Sequence, residues 1–206
     1  MTGARPAPRT VVFDLGGVLV DWNPRHLYRE LFDDERTMEE FLGTVCTPAW
    51  NERQDAGRTI AEAEAELLER HPHHEEMIRA FYGRFDRMLA GPIDGTVAVL
   101  EELHGRGTPL YALSNWSAET FAHARRRFDF LERFRGIVVS GELGLIKPDV
   151  RIFRHLLDKY RLDAGDCVFI DDSPKNVAAA RDLGLHAIHF RDPKALRTEL
   201  RDHGLL

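Results

Sequence analysis

Thr10-Val11-Val12-Phe13-Asp14-Leu15-Gly16-Gly17 is the stretch on which the reading of the fold turns. A short apolar run that stops at a carboxylate and a pair of glycines has the pattern of a buried parallel strand ending in a tight turn. The pattern recurs downstream. Leu110 to Leu113 stops at Ser114 and Asn115, Gly136 to Val139 at Ser140 and Gly141, Cys167 to Ile170 at Asp171 and Asp172, and His186 to Phe190 at Arg191 and Asp192. Between these runs, apolar residues at helical spacing predict helices over 96–104, 118–128, 148–160 and 176–183, the last stopped by Gly184. Such alternation predicts an α/β fold, a parallel sheet wrapped by helices. Ligands of such sheets bind at the carboxyl ends of the strands, where the polar groups of this sequence collect.

From Trp22 to Leu89 the alternation breaks: the stretch is charged, contains no convincing strand, and has helical patterning over 24–32, 38–45, 60–70 and 75–88. It reads as a helical insertion over the site. The chain then divides into a core of residues 1–21 and 90–206 and an inserted helical domain of residues 22–89, with Gly91, Pro92 and Gly95 marking the return.

With 206 residues and 43% hydrophobic content the chain can bury a normal core. A net charge of -6 leaves no basic field for nucleic acid, and Arg125, Arg126 and Arg127 are too short a cluster to supply one. Cys46 and Cys167 have no spacing that suggests a disulfide framework or a metal knuckle, and buried free thiols are expected. No apolar run approaches membrane-spanning length, and Met1 to Arg9, expected to be frayed, carries no hydrophobic signal core. These features point to a cytoplasmic protein without a membrane partner; a monomer or homodimer is expected.

Taken singly, each polar cluster has a plain structural reading. Asp14 would cap a turn, Ser114 and Asn115 a helix start, and Asp171, Asp172 and Ser173 the helix after Pro174, while Lys147 would be a solvated lysine before a proline in a first helical turn. Together they set carboxylates, a hydroxyl and an ammonium on one edge of one sheet. Two unit charges about 4 Å apart at an effective dielectric of 20 interact by roughly 4 kcal/mol, so Asp14, Asp171 and Asp172 would repel strongly if left bare. Magnesium, a hard cation that takes oxygen ligands and substrate phosphate oxygens, resolves that conflict, and Lys147 neutralises what remains. Such a site suits phosphoryl transfer, with Asp14 attacking phosphorus and Ser114 and nearby backbone N–H groups holding phosphate oxygens. Water would then hydrolyse the aspartyl phosphate.

The segments Val11-Val12-Phe13-Asp14-Leu15-Gly16-Gly17-Val18-Leu19, Leu113-Ser114-Asn115, Lys147-Pro148 and Phe169-Ile170-Asp171-Asp172-Ser173-Pro174-Lys175-Asn176 resemble, in order and spacing, the motifs of the haloacid dehalogenase-like superfamily. The resemblance covers nearly the whole chain. It implies a Rossmann-like core with an inserted α-helical cap domain, Asp14 as nucleophile and magnesium ligand, Asp172 as second ligand with Asp171 close behind, and Ser114 and Lys147 as phosphate ligands. Within the superfamily the sequence looks most like glucose-1-phosphatase-like members, which implies a small phosphorylated substrate such as a sugar phosphate. One position departs from the pattern. Many superfamily phosphatases carry a second aspartate two residues after the nucleophile as general acid and base, and here that position is Gly16. Gly16 can offer its carbonyl to the metal, but it cannot carry a proton. General acid catalysis is worth about 10²- to 10⁴-fold, so a slow phosphatase, or one restricted to good leaving groups, is expected.

Asp21 is a candidate proton source beside its plainer reading as a turn residue. Trp50, Asn51, Arg53 and Gln54 form a polar and aromatic patch before Gly57, of which Arg53 is the candidate for substrate contact, and Asn115 is a candidate substrate-binding residue beside Trp116, which is placed to wall the site. His71, His73 and His74 flank Pro72 in a helix connection and lack partners at metal-ligand spacing. Two other readings stand beside the phosphatase. A metal-independent 2-haloacid dehalogenase would also use Asp14, but gains nothing from Asp171 and Asp172. A phosphate-binding module without turnover is the reading that Gly16 permits.

Overall fold

The computed structural model describes residues 8–206. The chain opens with β1 (Thr10–Phe13) and β2 (Val20–Trp22), followed by five helices: α1 (Pro24–Tyr28), α2 (Glu35–Thr44), α3 (Pro48–Asp55), α4 (Ile60–Arg70) and α5 (Glu75–Gly83). It continues through β3 (Leu89–Pro92), α6 (Asp94–Gly105), β4 (Leu110–Ser114), α7 (Ala118–Arg127), β5 (Gly136–Val139) and the short α8 (Ser140–Leu143). The last part is α9 (Val150–Tyr160), β6 (Cys167–Asp171), α10 (Pro174–Asp182), β7 (His186–His189) and α11 (Pro193–Asp202).

Five strands form one parallel sheet in the order β5-β4-β1-β6-β7. The chain winds outward from β1 through β4 and β5 and then crosses back to β6 and β7, which places the topological switch point at β1. Every residue of β1, β4 and β6 is buried, because helices cover both faces. On one face Val11, Phe13 and Ile170 share a cluster with Val99, Leu103, Leu196 and Leu200 of α6 and α11. On the other, Val12, Leu113 and Phe169 pack with Ile152, Phe153 and Leu156 of α9 and Val177 of α10. α9 presents those residues on a single stripe and is capped by Asp149, whose side chain accepts from the Arg151 N–H.

Register sets the functional edge. Phe13 pairs with Ala112 on β4 and with Ile170 on β6, so the next residue, Asp14, lies level with Leu113 and Asp171. The Asp14 N–H continues the ladder by donating to the Ile170 carbonyl at 2.8 Å.

The helical segment after β2 is bracketed by a two-stranded antiparallel ribbon, β2 against β3. The sequence reading found no strand there, since the two strands are short and β3 holds Gly91 and Pro92, residues that weaken a strand pattern. It also missed α3, whose buried residues are only Trp50 and Gln54 and which therefore lacks an apolar stripe, and it did not assign α11. Helix α9 starts two residues later than expected, at Val150 with Asp149 as its cap. The fraying expected over 1–9 falls, for residues 1–7, outside the described residues. Arg9 is fixed: its N–H donates to the Asp166 carbonyl at 3.0 Å and its guanidinium forks onto the Asp166 carboxylate at 3.1 and 2.9 Å. No described helix is long and apolar enough to cross a membrane.

Phe153 is fully buried and meets Phe169 edge-on at 5.2 Å between ring centroids. Phe153→Ala should lower stability by about 3–5 kcal/mol in urea denaturation, whereas Val150→Ala, at the exposed start of the same helix, should shift it by less than about 0.5 kcal/mol.

Candidate functional site

The turn after β1 is built around backbone. The Leu15 carbonyl accepts from the N–H groups of Leu19 and Val20 at 2.8 and 2.9 Å, and the Gly17 N–H donates to the Val20 carbonyl at 2.9 Å. Gly17 sits at φ +73°, where a side chain is strained, and a Cβ there would lie 2.5 Å from Asp172 Oδ2. Glycine at 17 thus allows both the turn and the close approach of Asp172. Gly16 obeys neither constraint, since its φ is ordinary and a Cβ built on it meets nothing within 4 Å.

Lys147 lies at the centre of the cluster with a side chain wholly removed from solvent. Its Nζ donates to the Leu113 carbonyl at 2.9 Å and to Asp171 Oδ2 at 2.7 Å, and stands 2.9 Å from Asp14 Oδ2. Asn115 clamps its backbone from both sides, donating through Nδ2 to the Lys147 carbonyl at 3.0 Å and accepting the Lys147 N–H at 2.8 Å. This is the role the structure gives Asn115, although the residue also borders the cleft. Burial works to lower the Lys147 pKa, but Asp14 and Asp171 outweigh it and the net shift is upward, so the ammonium stays charged.

Asp14 accepts the Leu15 N–H at 2.7 Å through its other oxygen, Oδ1. Burial drives its pKa up and Lys147 opposes this, while Asp171 and Asp172 add to the rise; the result is about 7. Asp171 has both oxygens engaged within the protein: Oδ1 accepts from the Ser173 N–H and Asn176 Nδ2, and Oδ2 from Lys147 Nζ and Asn176 Nδ2. Asp172 is the exposed member, and partial burial and Asp171 raise its pKa. Ligand oxygens of Asp14, Asp171 and Asp172 lie within 4.8 Å of one another. Three carboxylates facing one ammonium leave negative charge uncompensated, and an all-oxygen donor set of this size fits a hard divalent cation such as magnesium. Ser114, 1% exposed, ends β4 at the same edge, and its Oγ has no hydrogen-bond partner among the described residues. A buried hydroxyl of that kind is one a ligand would satisfy.

A cleft of ≈ 540 Å³ opens over Lys147, bordered by Trp22, Asn51, Asp55, Asn115 and Asn176. A neighbouring cleft of ≈ 410 Å³ shares Trp22, Pro48 and Asn51 with it. Trp116 walls a small cavity of ≈ 60 Å³ that Gly16 and Asp55 also line. Arg53 is not brought to any of these three spaces. It is exposed and forks onto Glu66 at 3.0 and 2.9 Å, because in α3 it is two residues out of phase with Asn51 and Asp55, which share the inner face at i, i+4. Asp55 was the residue the sequence reading passed over, although it lies just after the flagged patch. Asp21 is also outside the clefts, its Oδ1 3.0 Å from His26 Nε2. Of His71, His73 and His74, none joins a metal-ligand group among the described residues. Cys46 and Cys167 are free and buried, and burial pushes both thiols up to about 12.

Known proteins bear on this arrangement. The sequence profile of haloacid dehalogenase-like hydrolases matches residues 8–184. The sesquiterpene phosphatase astK of Aspergillus oryzae is 29% identical over 196 residues, covering 94% of this chain and 95% of that protein. A 5'-nucleotidase of Pseudomonas aeruginosa is 28% identical over 204 residues, covering 94% of this chain and 87% of that one. In structure, the HAD family enzyme BT-2542 of Bacteroides thetaiotaomicron superposes with a TM-score of 0.71 at 21% identity, covering 91% of this chain and 95% of that one. That enzyme has also been crystallised with magnesium and inorganic phosphate; in this form the TM-score is 0.65 at 19% identity, over 90% of this chain and 95% of that one. A match across so much of the chain, on the fold its sequence motifs imply, makes this protein a member of the haloacid dehalogenase-like hydrolases.

Proposed function

We propose that the protein is a magnesium-dependent phosphatase that hydrolyses a small phosphorylated metabolite through a phosphoryl group carried on Asp14. The observation that carries this reading is a buried ammonium, Lys147, held between Asp14 and Asp171 beside the unpartnered Ser114 hydroxyl. Phosphoryl transfer asks for an in-line oxygen nucleophile and positive charge and donors around three phosphoryl oxygens, and these groups are of that kind. The phosphatase names of two relatives that span nearly the whole chain agree with it.

In this reading Asp14 and Asp172 hold magnesium together with the Gly16 carbonyl, and Asp171 braces the set through its bonds to Lys147, Asn176 and the Ser173 N–H. Bound there, the ion neutralises the carboxylates and the charge that develops on the phosphoryl oxygens. Lys147 and Ser114 hold phosphate oxygens, and Asp14 attacks phosphorus. Burial of Lys147 makes each of these contacts stronger than it would be in water. Residues 22–89 act as a cap domain on the core of 8–21 and 90–206, with Trp22, Pro48 and Asn51 set against the organic part of the substrate. The paired clefts admit a leaving group larger than a single sugar, so sugar phosphates, nucleoside monophosphates and prenyl phosphates form the natural panel.

With purified protein, inorganic phosphate release from this panel should require magnesium and stop with chelator, and Asp14→Asn should reduce kcat by at least about 10³-fold. Silence of the wild type across the panel would overturn the reading and make halide release from 2-haloacids the next assay. Gly17→Ala strains a left-handed position and pushes on Asp172 Oδ2, so the magnesium concentration for half-maximal rate should rise by about 10- to 100-fold while Asp14 chemistry is preserved at saturating metal.

A further inference from the structure

Gly16 leaves a gap in the machinery. The proposed reaction expels an alkoxide and later attacks with water, and neither Lys147, charged and locked onto Asp171, nor Asp14, the nucleophile itself, is free to move that proton. The space next to Gly16 Cα is open, and the small cavity that Gly16 shares with Trp116 is also lined by a residue of α3, Asp55. Asp55 also borders the large cleft with Lys147 and Asn115. It is the one carboxylate-bearing residue that lines both spaces among the described residues; Glu52 reaches only the large cleft, from an exposed position.

Its position is fixed by an array of oriented donors. Arg58 Nε donates to Gln54 Oε1 at 2.8 Å, Gln54 Nε2 to Tyr82 Oη at 2.9 Å, the Tyr82 hydroxyl to Asn51 Oδ1 at 2.8 Å, and Asn51 Nδ2 to Asp55 Oδ2 at 3.3 Å. Gln54 and Tyr82 are buried, so the chain runs through the interior of the helical insertion, where such bonds are strengthened by low dielectric. The Asp55 backbone is fastened to the core as well: its carbonyl accepts from Ser140 Oγ at 2.6 Å, and Ser140 Oγ in turn accepts the Trp116 N–H at 2.9 Å. At this seam Gly57 comes close to the backbone of Gly141 and Gly144.

We propose that Asp55 is the general acid and base of this enzyme. The assignment rests on the phosphatase reading above. As Asp14 Oδ forms its bond to phosphorus and the ester P–O bond breaks, the Asp55 carboxyl gives its proton to the departing oxygen, which leaves as an alcohol. Water then takes its place, the Asp55 carboxylate accepts its proton as the water oxygen bonds to phosphorus, and the Asp14–phosphorus bond breaks. Phosphate leaves, Asp14 is again a carboxylate and Asp55 again an acid. The surroundings of Asp55 suit this double role, since burial and Glu52 raise its pKa to about 7 against the opposing Ser117 N–H and Lys147. A group poised there is available in both protonation states near neutrality. Tyr82, Glu52 and Lys147 are the other ionisable groups that interact with it, and Arg58 acts on Tyr82.

The test is a series of aryl and alkyl phosphates of rising leaving-group pKa, with wild type, Asp55→Asn and Asp55→Glu at saturating magnesium. Asp55→Asn should lose about 10²- to 10⁴-fold in kcat/KM on phenyl and alkyl phosphates but far less on dinitrophenyl phosphate, giving a steeper dependence than wild type. On dinitrophenyl phosphate it should also release about one equivalent of dinitrophenolate in a burst before a slow steady state, because its phosphoenzyme lacks a base. Asp55→Glu should restore the shallow dependence, and Gly16→Asp in the Asp55→Asn background should recover at least tenfold on phenyl phosphate. An active Asp55→Asn enzyme with the wild-type slope and no burst, or a uniform loss on all substrates, overturns the inference and leaves the phosphatase reading standing. A wild type silent on every substrate overturns both.

Discussion

A lysine ammonium withdrawn completely from water is costly, and most of the site can be understood as the arrangement that makes Lys147 tolerable. Two carboxylates and a main-chain carbonyl surround its Nζ. The carboxylates in turn need donors, which Asn176, the Ser173 N–H and the Leu15 N–H supply. Asn115 fixes the lysine backbone so that the ammonium cannot retreat toward solvent. The strand register serves the same constraint, since Asp14 and Asp171 meet across one ammonium only because β1 and β6 pair with Phe13 opposite Ile170. A slip of one residue would turn one of the acids into the core.

That dependence explains why so little of the site is negotiable. Asp171 spends all its hydrogen-bonding capacity on neighbours and functions in the structure as the anchor of Lys147 and of the turn into α10. Asp172, one residue on, is exposed and unburdened by such bonds, which leaves it the freer carboxylate for an external cation. Adjacent aspartates thus divide the labour through the alternation of a strand ending.

Much of this was legible in the sequence because the signals were local and strong. Apolar runs ending in polar groups gave all five parallel strands to within a residue or two, and the carboxylate, hydroxyl and ammonium groups at their ends pointed to a shared site. What escaped detection lacked an apolar signature. Helix α3 buries just Trp50 and Gln54, so no period announced it, and without a helix there was no way to see that Asn51 and Asp55 share a face that Arg53 does not. The ribbon of β2 and β3 escaped because each strand is too short to alternate. Asn115 was read as a ligand-side residue, whereas its amide is used on the Lys147 backbone, a tertiary partnership 32 residues apart that no local pattern carries.

The ribbon has an evolutionary consequence. The helical segment leaves and rejoins the chain at two neighbouring strands, so its covalent connections lie in the ribbon and outside the five-stranded sheet, which it meets only through contacts such as that of Asp55 with Ser140. If Asp55 acts as proposed, exchange of the segment would carry proton supply and its residues bordering the cleft together as one module.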